Sequence, residues 1–362
     1  MSEPLILMKI PGRVREWLRS PELADHGRTE WERCLVLLES AEHHVIGLGV
    51  TCHLTVSLQD ARILVAEISR AEAADPECRE TLGEVYARAG KAHVVGITGV
   101  PGSGKSTMVA VLAGHLRKAG HKVGIIAIDP SSPYSGGAIM GDRIRMSNLA
   151  SDEGVYIRSM ATRGALGGMA RATLDSVDIL DVAGYRYILI ETVGVGQDEV
   201  EIASASHTTL VVSAPGLGDE VQAIKAGILE IADVHVVSKS DRPDARSTVS
   251  DLKQMLTLGM ATDAKTAWRP PVIATSSLKG EGFDELVSAL GQHKAFLEGS
   301  DAGRARVRRI AEFRMIKTAE ELLRRRFKES SAGRVAAVAD RLAAREISPY
   351  VAGEQLLDGI GA

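Results

Sequence analysis

Beyond Gly90 the chain alternates short, dense apolar runs with longer stretches whose apolar residues recur every three or four positions. The runs at 94–98, 123–128, 187–191, 209–213, 234–238 and 272–276 have the length and β-branched content of strands buried on both faces. Between them the stretches at 106–119, 175–183, 220–232 and 247–260 are amphipathic with a helical period. Strands that alternate with helices in this way predict an α/β fold, a doubly wound and mainly parallel sheet with helices on both faces. Upstream, Ile63, Leu64 and Ile68, then Leu82, Val85 and Tyr86, sit at helical spacing on either side of Asp75-Pro76. This predicts two short helices over 57–92. Residues 1–56 read as an irregular lead-in with Trp17 and Trp31, its second apolar run broken by Gly47 and Gly49. From about residue 299 the text is arginine-rich and helical, with a stripe of Ile310, Phe313, Ile316, Ala319 and Leu323. The expected organisation is an N-terminal extension (1–56), a helical preface (57–92), an α/β core (93–298) and a C-terminal helical arm (299–362). The arm's stripe exceeds what a lone terminal helix leaves to water, which predicts a homodimer built by it.

Composition narrows the partners. The chain has 362 residues, of which 45% are apolar, 25% charged and 4% aromatic, as in a folded globular protein. A formal charge of −4 is too small to suggest nucleic acid or an anionic membrane as partner. Cys34, Cys52 and Cys78 are few and far apart, matching neither a disulfide framework nor a zinc knuckle. No stretch approaches the roughly 20 uninterrupted apolar residues of a membrane span. A cytoplasmic protein is expected.

The clearest chemistry lies at Gly99-Val100-Pro101-Gly102-Ser103-Gly104-Lys105-Ser106-Thr107, a G-x-x-x-x-G-K-[ST] pattern directly after the run 94–98 and directly before a helical stretch. Glycines let such a loop curl around a phosphate, backbone N–H groups at the helix N-terminus face the anion, and Lys105 adds a mobile positive charge. Gly102, Ser103, Gly104, Lys105, Ser106 and Thr107 are therefore the expected phosphate cradle, with the Ser106 hydroxyl offered to Mg²⁺. Asp129 and Glu191 end two strands on the side where this loop emerges, so both are candidates to reach the metal or its waters beside a γ-phosphate.

Two further segments bear on which nucleotide is bound. Ser238-Lys239-Ser240-Asp241 stands where GTPases carry Asn-Lys-x-Asp, whose aspartate accepts from guanine donors that adenine lacks. Lys239 and Asp241 fit the pattern, while Ser238 alters an anchor that normally braces the loop. Residues 275–282, with Ser276, Ser277 and Leu278, have the form of a second base loop whose backbone N–H meets guanine O6. GTP and GDP are thus favoured over adenine nucleotides.

Asp129-Pro130-Ser131-Ser132-Pro133, together with Gly136-Gly137-Ala138-Ile139-Met140-Gly141-Asp142-Arg143-Ile144-Arg145-Met146, is similar to a stretch typical of the MeaB/ArgK family of P-loop GTPases. Glu191-Thr192-Val193-Gly194-Val195-Gly196-Gln197 resembles that family's second switch, and the segment from Pro215 to Gly227 its third mobile segment. The resemblance runs from about residue 60 to about residue 297 and continues more weakly beyond. It implies a GTP hydrolase that assists an adenosylcobalamin-dependent acyl-CoA mutase such as methylmalonyl-CoA mutase. It also makes Asp142 a metal or switch candidate. No Ras-like glutamine is evident, since Gln197 lies well past Glu191. Lys225 is then the candidate for charge against the transition state, and slow intrinsic turnover raised by a partner is expected. Two other readings stand beside it, the first from the same fold and the second of a different class. A nickel or zinc metallochaperone would want a Cys-rich or His-rich tract, for which His43-His44 is too little. A kinase of a transport protein would differ by passing phosphate to an acceptor.

Overall fold

The computed structural model describes residues 61–72, 78–129, 149, 151–161, 171–192, 198–216, 228–259, 268–331 and 333–358. The lead-in 1–56, Asp142, Gln197 and Lys225 lie outside these residues.

Two helices, α1 (Ala61–Glu72) and α2 (Arg79–Arg88), precede β1 (His93–Gly99), α3 (Lys105–Lys118), β2 (Val123–Asp129) and β3 (Val155–Ala161). There follow α4 (Arg171–Val182), β4 (Tyr187–Thr192), α5 (Asp198–Ala205), β5 (Thr208–Ser213), a 3₁₀ turn (Ile228–Ile231) and β6 (Val234–Val237). The chain closes with α6 (Ala245–Gly259), β7 (Val272–Ala274), α7 (Phe283–Glu298), α8 (Asp301–Ser331), α9 (Val335–Ala343) and α10 (Pro349–Leu357).

The seven strands form one sheet in the order β3-β2-β4-β1-β5-β6-β7. Every pairing among them is parallel, so all C-terminal ends share one edge. The chain winds outward from β1 to β2 and β3, returns to β4, and then crosses to β5 on the other side of β1. The switch in direction opens a crevice at the C-terminal end of β1, where open α/β sheets bind ligands.

Strand alternation builds two cores. Val95 and Ile97 face one way, against Met108, Leu112 and Leu116 of α3 and Phe283, Leu286 and Leu290 of α7. Val94 faces the other way with Ile128 and Ile190, against Leu174 of α4 and Ile202 and Ala205 of α5, and Phe313 of α8 packs on this second cluster. Helices α1 and α2 pack on α4.

One strand escaped the apolar pattern. In β3 the run Val155-Tyr156-Ile157 is broken by Arg158 and Ser159. A strand at the end of a sheet has less need of a continuous apolar run, and among the described residues β3 pairs only with β2. No described helix is long and apolar enough to cross a membrane.

Candidate functional site

The site begins where β1 turns into α3. Gly99 has φ +135°, and a Cβ there would sit 2.1 Å from the Val212 carbonyl oxygen of β5, so only glycine lets the loop leave the sheet at this angle. Gly102 and Gly104 also take positive φ, and Gly104 caps α3 directly. The helix N-terminus therefore opens onto the loop, while His115, Arg117 and Lys118 occupy the last turn, where positive charge suits the dipole.

Lys105 is buried. Its ammonium donates to the carbonyls of Gly99 (2.7 Å) and Val100 (3.1 Å). The charge is thus held against the loop's own backbone. The Ser106 hydroxyl donates to Glu191 Oε1 at 2.7 Å. Glu191 is buried at the end of β4. The next residue, Thr192, bonds Thr98 Oγ1 at 3.2 Å, which locks the end of β4 to the strand that feeds the loop. Asp129 is the last residue of β2, opposite Ala161 of β3, and reaches the same sheet edge one strand away from Glu191. Its side chain is not among those described.

These groups surround a cleft of about 430 Å³, bounded by Gly102, Lys105, Ser106, Thr107, Glu191 and Lys239 among others. The volume falls within the usual range of small-molecule sites. Ser103 lies buried behind the loop.

The second half of the site is tied to the first by side chains. The Ser238 hydroxyl lies 2.6 Å from the Ser103 carbonyl and 3.0 Å from the Ser213 carbonyl, between which its one proton is shared. Serine in the place of the usual asparagine therefore keeps a bond to the phosphate loop, a consequence that residue identity alone did not reveal. Lys239, in the left-handed region at φ +51°, donates to the Gly102 carbonyl at 2.7 Å.

Asp241 and Ser276 are joined as well. Asp241 Oδ1 accepts from the Ser276 hydroxyl at 2.6 Å, and this bond leads the effects that hold the carboxyl below its usual range. The backbone of Ser240 donates to Thr275, and Ser276 exchanges two backbone bonds with Glu281. Gly282, at φ +81°, closes this turn, and a Cβ there would lie 2.0 Å from the Ala274 carbonyl oxygen. Leu278 projects into solvent, 85% exposed. Asp241, Ser276, Ser277 and Leu278 are not part of the cleft's lining and connect to it through Lys239.

The geometry thus brings Lys105, Ser106 and Glu191 together and places Asp241 and Ser276 on a loop pair braced to the same phosphate loop. The bonds from Thr192 to the strand that feeds that loop and from Lys239 to the loop itself were not legible in the sequence, because neither residue lies near its partner along the chain.

A family model described as methylmalonyl Co-A mutase-associated GTPase MeaB matches residues 61–332. A putative GTPase of Pyrococcus abyssi is 41% identical over 302 residues, covering 83% of this chain and 93% of that protein. The methylmalonic aciduria type A homolog, mitochondrial, of Mus musculus is 38% identical over 216 residues, covering 58% of this chain and 51% of that one. Among solved structures, that of a LAO/AO transport system kinase superposes with a TM-score of 0.61 at 25% identity, covering 88% of this chain and all of that one.

Proposed function

The chain belongs to the MeaB family of methylmalonyl Co-A mutase-associated GTPases, and from that premise we propose that its GTP hydrolysis uses Mg²⁺ and serves the assembly or protection of an adenosylcobalamin-dependent acyl-CoA mutase. The guanine preference rests on one observation above all, the carboxylate of Asp241 held in place by Ser276 on a loop that Ser238 pins to the phosphate loop. A carboxylate oriented in this way accepts from the N1 and N2 donors of guanine, and adenine presents no such pair.

At the phosphate end the residues suit a hard cation. The Ser106 hydroxyl and the Glu191 carboxylate, already in contact, are oxygen donors of the kind Mg²⁺ prefers. Ser106 would hold the ion directly, with Glu191 and Asp129 holding it or its waters. The ion would neutralise charge between the β- and γ-phosphates. Lys105 would exchange its bonds to Gly99 and Val100 for phosphate oxygens, to which it would make charge-assisted hydrogen bonds. The turned N-terminus of α3 supplies the N–H groups that take up phosphate charge. Lys225 adds positive charge opposite the leaving group in this proposal, and Asp142 assists at the metal.

The test is hydrolysis of GTP with purified acyl-CoA mutases. A client should raise the rate about tenfold, equivalent to about 1.4 kcal/mol of transition-state stabilisation, and Asp241→Asn should shift preference from guanine to xanthine nucleotides. If no such mutase alters either the rate or the nucleotide affinity, the client assignment is wrong. The likeness to a transport system kinase supports a second reading, phosphate transfer to a transport protein. Label from the γ-phosphate would then appear on an added acceptor and not as free phosphate.

A further inference from the structure

The arm helix α8 is fastened to α5 at three points along one face. Arg306 donates to the Ala203 carbonyl in α5 at 3.1 Å, Phe313 packs on the cluster that holds Ile202 and Ala205, and Lys317 pairs with Glu201 at 2.6 Å. The spacings from 306 to 313 to 317 return to the same side of a helix. Lys317 and Glu201 are 10% and 16% exposed, so this ion pair is shielded from solvent as a surface pair is not.

Helix α5 occupies a sensitive place. Only residues 193–197 separate Thr192, at the end of β4, from Asp198, its first residue. Glu191 holds Ser106 at that strand end. The helix also lies on β1, the strand that feeds the phosphate loop: a Cβ on Gly96 would come within 2.5 Å of Ile202 Cγ1. The Ile202 side chain fills the place that a side chain at position 96 would take. The same Arg306 that grips α5 clamps Asp233 at 2.6 and 2.7 Å, and Asp233 directly precedes β6, the strand that leads to Ser238 and Asp241. One helix outside the core therefore contacts the elements behind both halves of the nucleotide site.

We propose that Lys317, through Glu201, is a positioning residue that couples the arm helix α8 to the nucleotide site by setting the placement of α5 against β1 and β4. The inference rests on the cleft being the site of GTP hydrolysis. Coupling of this kind is carried by packed side chains, ion pairs and rigid elements, and the Lys317–Glu201 pair is the furthest along α8 of the three contacts with α5 given above. Whatever binds the arm then shifts α5, and nucleotide state in turn changes the arm's affinity for it, since linkage is reciprocal.

The experiment measures kcat for GTP, GDP affinity and thermal midpoint in the full chain. The variants are Lys317→Ala, Glu201→Ala, their double variant and the swap Lys317→Glu with Glu201→Lys. Each single variant should lower kcat by roughly three- to tenfold, with GDP affinity within about twofold of wild type; the double variant should fall no further than either single one. The swap should restore at least part of the rate. Glu201→Gln, which keeps the side chain's shape, serves if the alanine variants fold poorly, and the same fall in kcat is expected of it. Amide exchange across residues 301–331 should also differ between GDP and a non-hydrolysable GTP analogue in the wild type. Wild-type kcat in the single variants, or a fall that only tracks the thermal midpoint, overturns the coupling. So does arm exchange indifferent to nucleotide. A wild-type chain that hydrolyses no GTP would instead remove the assignment of the cleft.

Discussion

At the scale of single residues, Ser238 decides how far the base loop departs from the usual pattern. Its hydroxyl is the donor that the Ser103 carbonyl receives from the base loop, whereas the Ser213 carbonyl keeps a second partner in the Ser238 backbone N–H at 2.9 Å. Ser238→Ala should therefore leave one buried carbonyl wanting and cost about 1–3 kcal/mol of stability. It should also weaken GDP binding, because the same bond aligns the two halves of the site. Ser238→Asn carries a donor on a longer side chain and should keep more of the affinity. Calorimetric titration of GDP against the three proteins checks this, and an alanine variant that binds as tightly as the wild type would exclude the hydroxyl as the tether.

At the scale of elements, the sheet edge opposite the nucleotide site is held by a polar network that only packing assembles. His93 Nε2 meets Thr208 Oγ1 at 2.7 Å, and that hydroxyl meets His293 Nδ1 at 2.8 Å, linking β1, β5 and α7. His207 Nδ1 accepts from the Val94 backbone at 3.0 Å, so its proton sits on Nε2. Burial, the leading cause in each case, pushes His93 down to about 2 and His207, His235 and His293 down to about 4. In the unfolded chain these rings take up protons near 6.5, so below that pH the unfolded state binds more protons and stability falls as pH drops toward 4. Burial instead raises Asp175, Asp178 and Asp233, in spite of their arginine partners. Their protonation favours the folded state and offsets part of the loss at the acid end. The net expectation is a melting temperature that falls steadily from pH 7 to pH 4.5. Scanning calorimetry across that window checks it, and a flat or rising midpoint would contradict it.

At the scale of the whole molecule, the arm has two faces with different fates. One docks on the core through Arg306, Phe313, Arg314 and Lys317. On the other side Met315, Ile316 and Leu323 remain more than half exposed. Apolar side chains gathered in this way favour burial against another surface, and a second copy of the chain is the partner proposed for them. Deleting the arm would strip Phe313 from the core cluster, so a surface change is the cleaner test. Ile316→Glu with Leu323→Glu should halve the sedimenting mass without unfolding the chain, since surface substitutions usually shift stability by less than ~0.5 kcal/mol. An unchanged mass would place any interface elsewhere.

What the sequence determined by itself were the features carried by neighbouring residues: the strands that must be buried on both faces, the glycines at the phosphate loop, and the two helices ahead of β1. Period and turn chemistry are local, so they survive reading one residue at a time. Residues 93–99 and 123–129 show this, their apolar runs ending at Gly99 and Asp129 on the edge where the site forms. The tertiary structure alone decided the rest. Among the described residues it placed β3, with its Arg158 and Ser159, at the end of the sheet, where pairing to β2 supplies what the apolar pattern lacks. It turned Ser238 from a missing anchor into a present one, since the Ser103 carbonyl that receives it comes from a loop more than a hundred residues away. It also split the arm's single apolar stripe, sending Phe313 to the core and leaving Ile316 and Leu323 in water. Helical spacing states which residues share a side, but only the helices packed around them determine which side is covered.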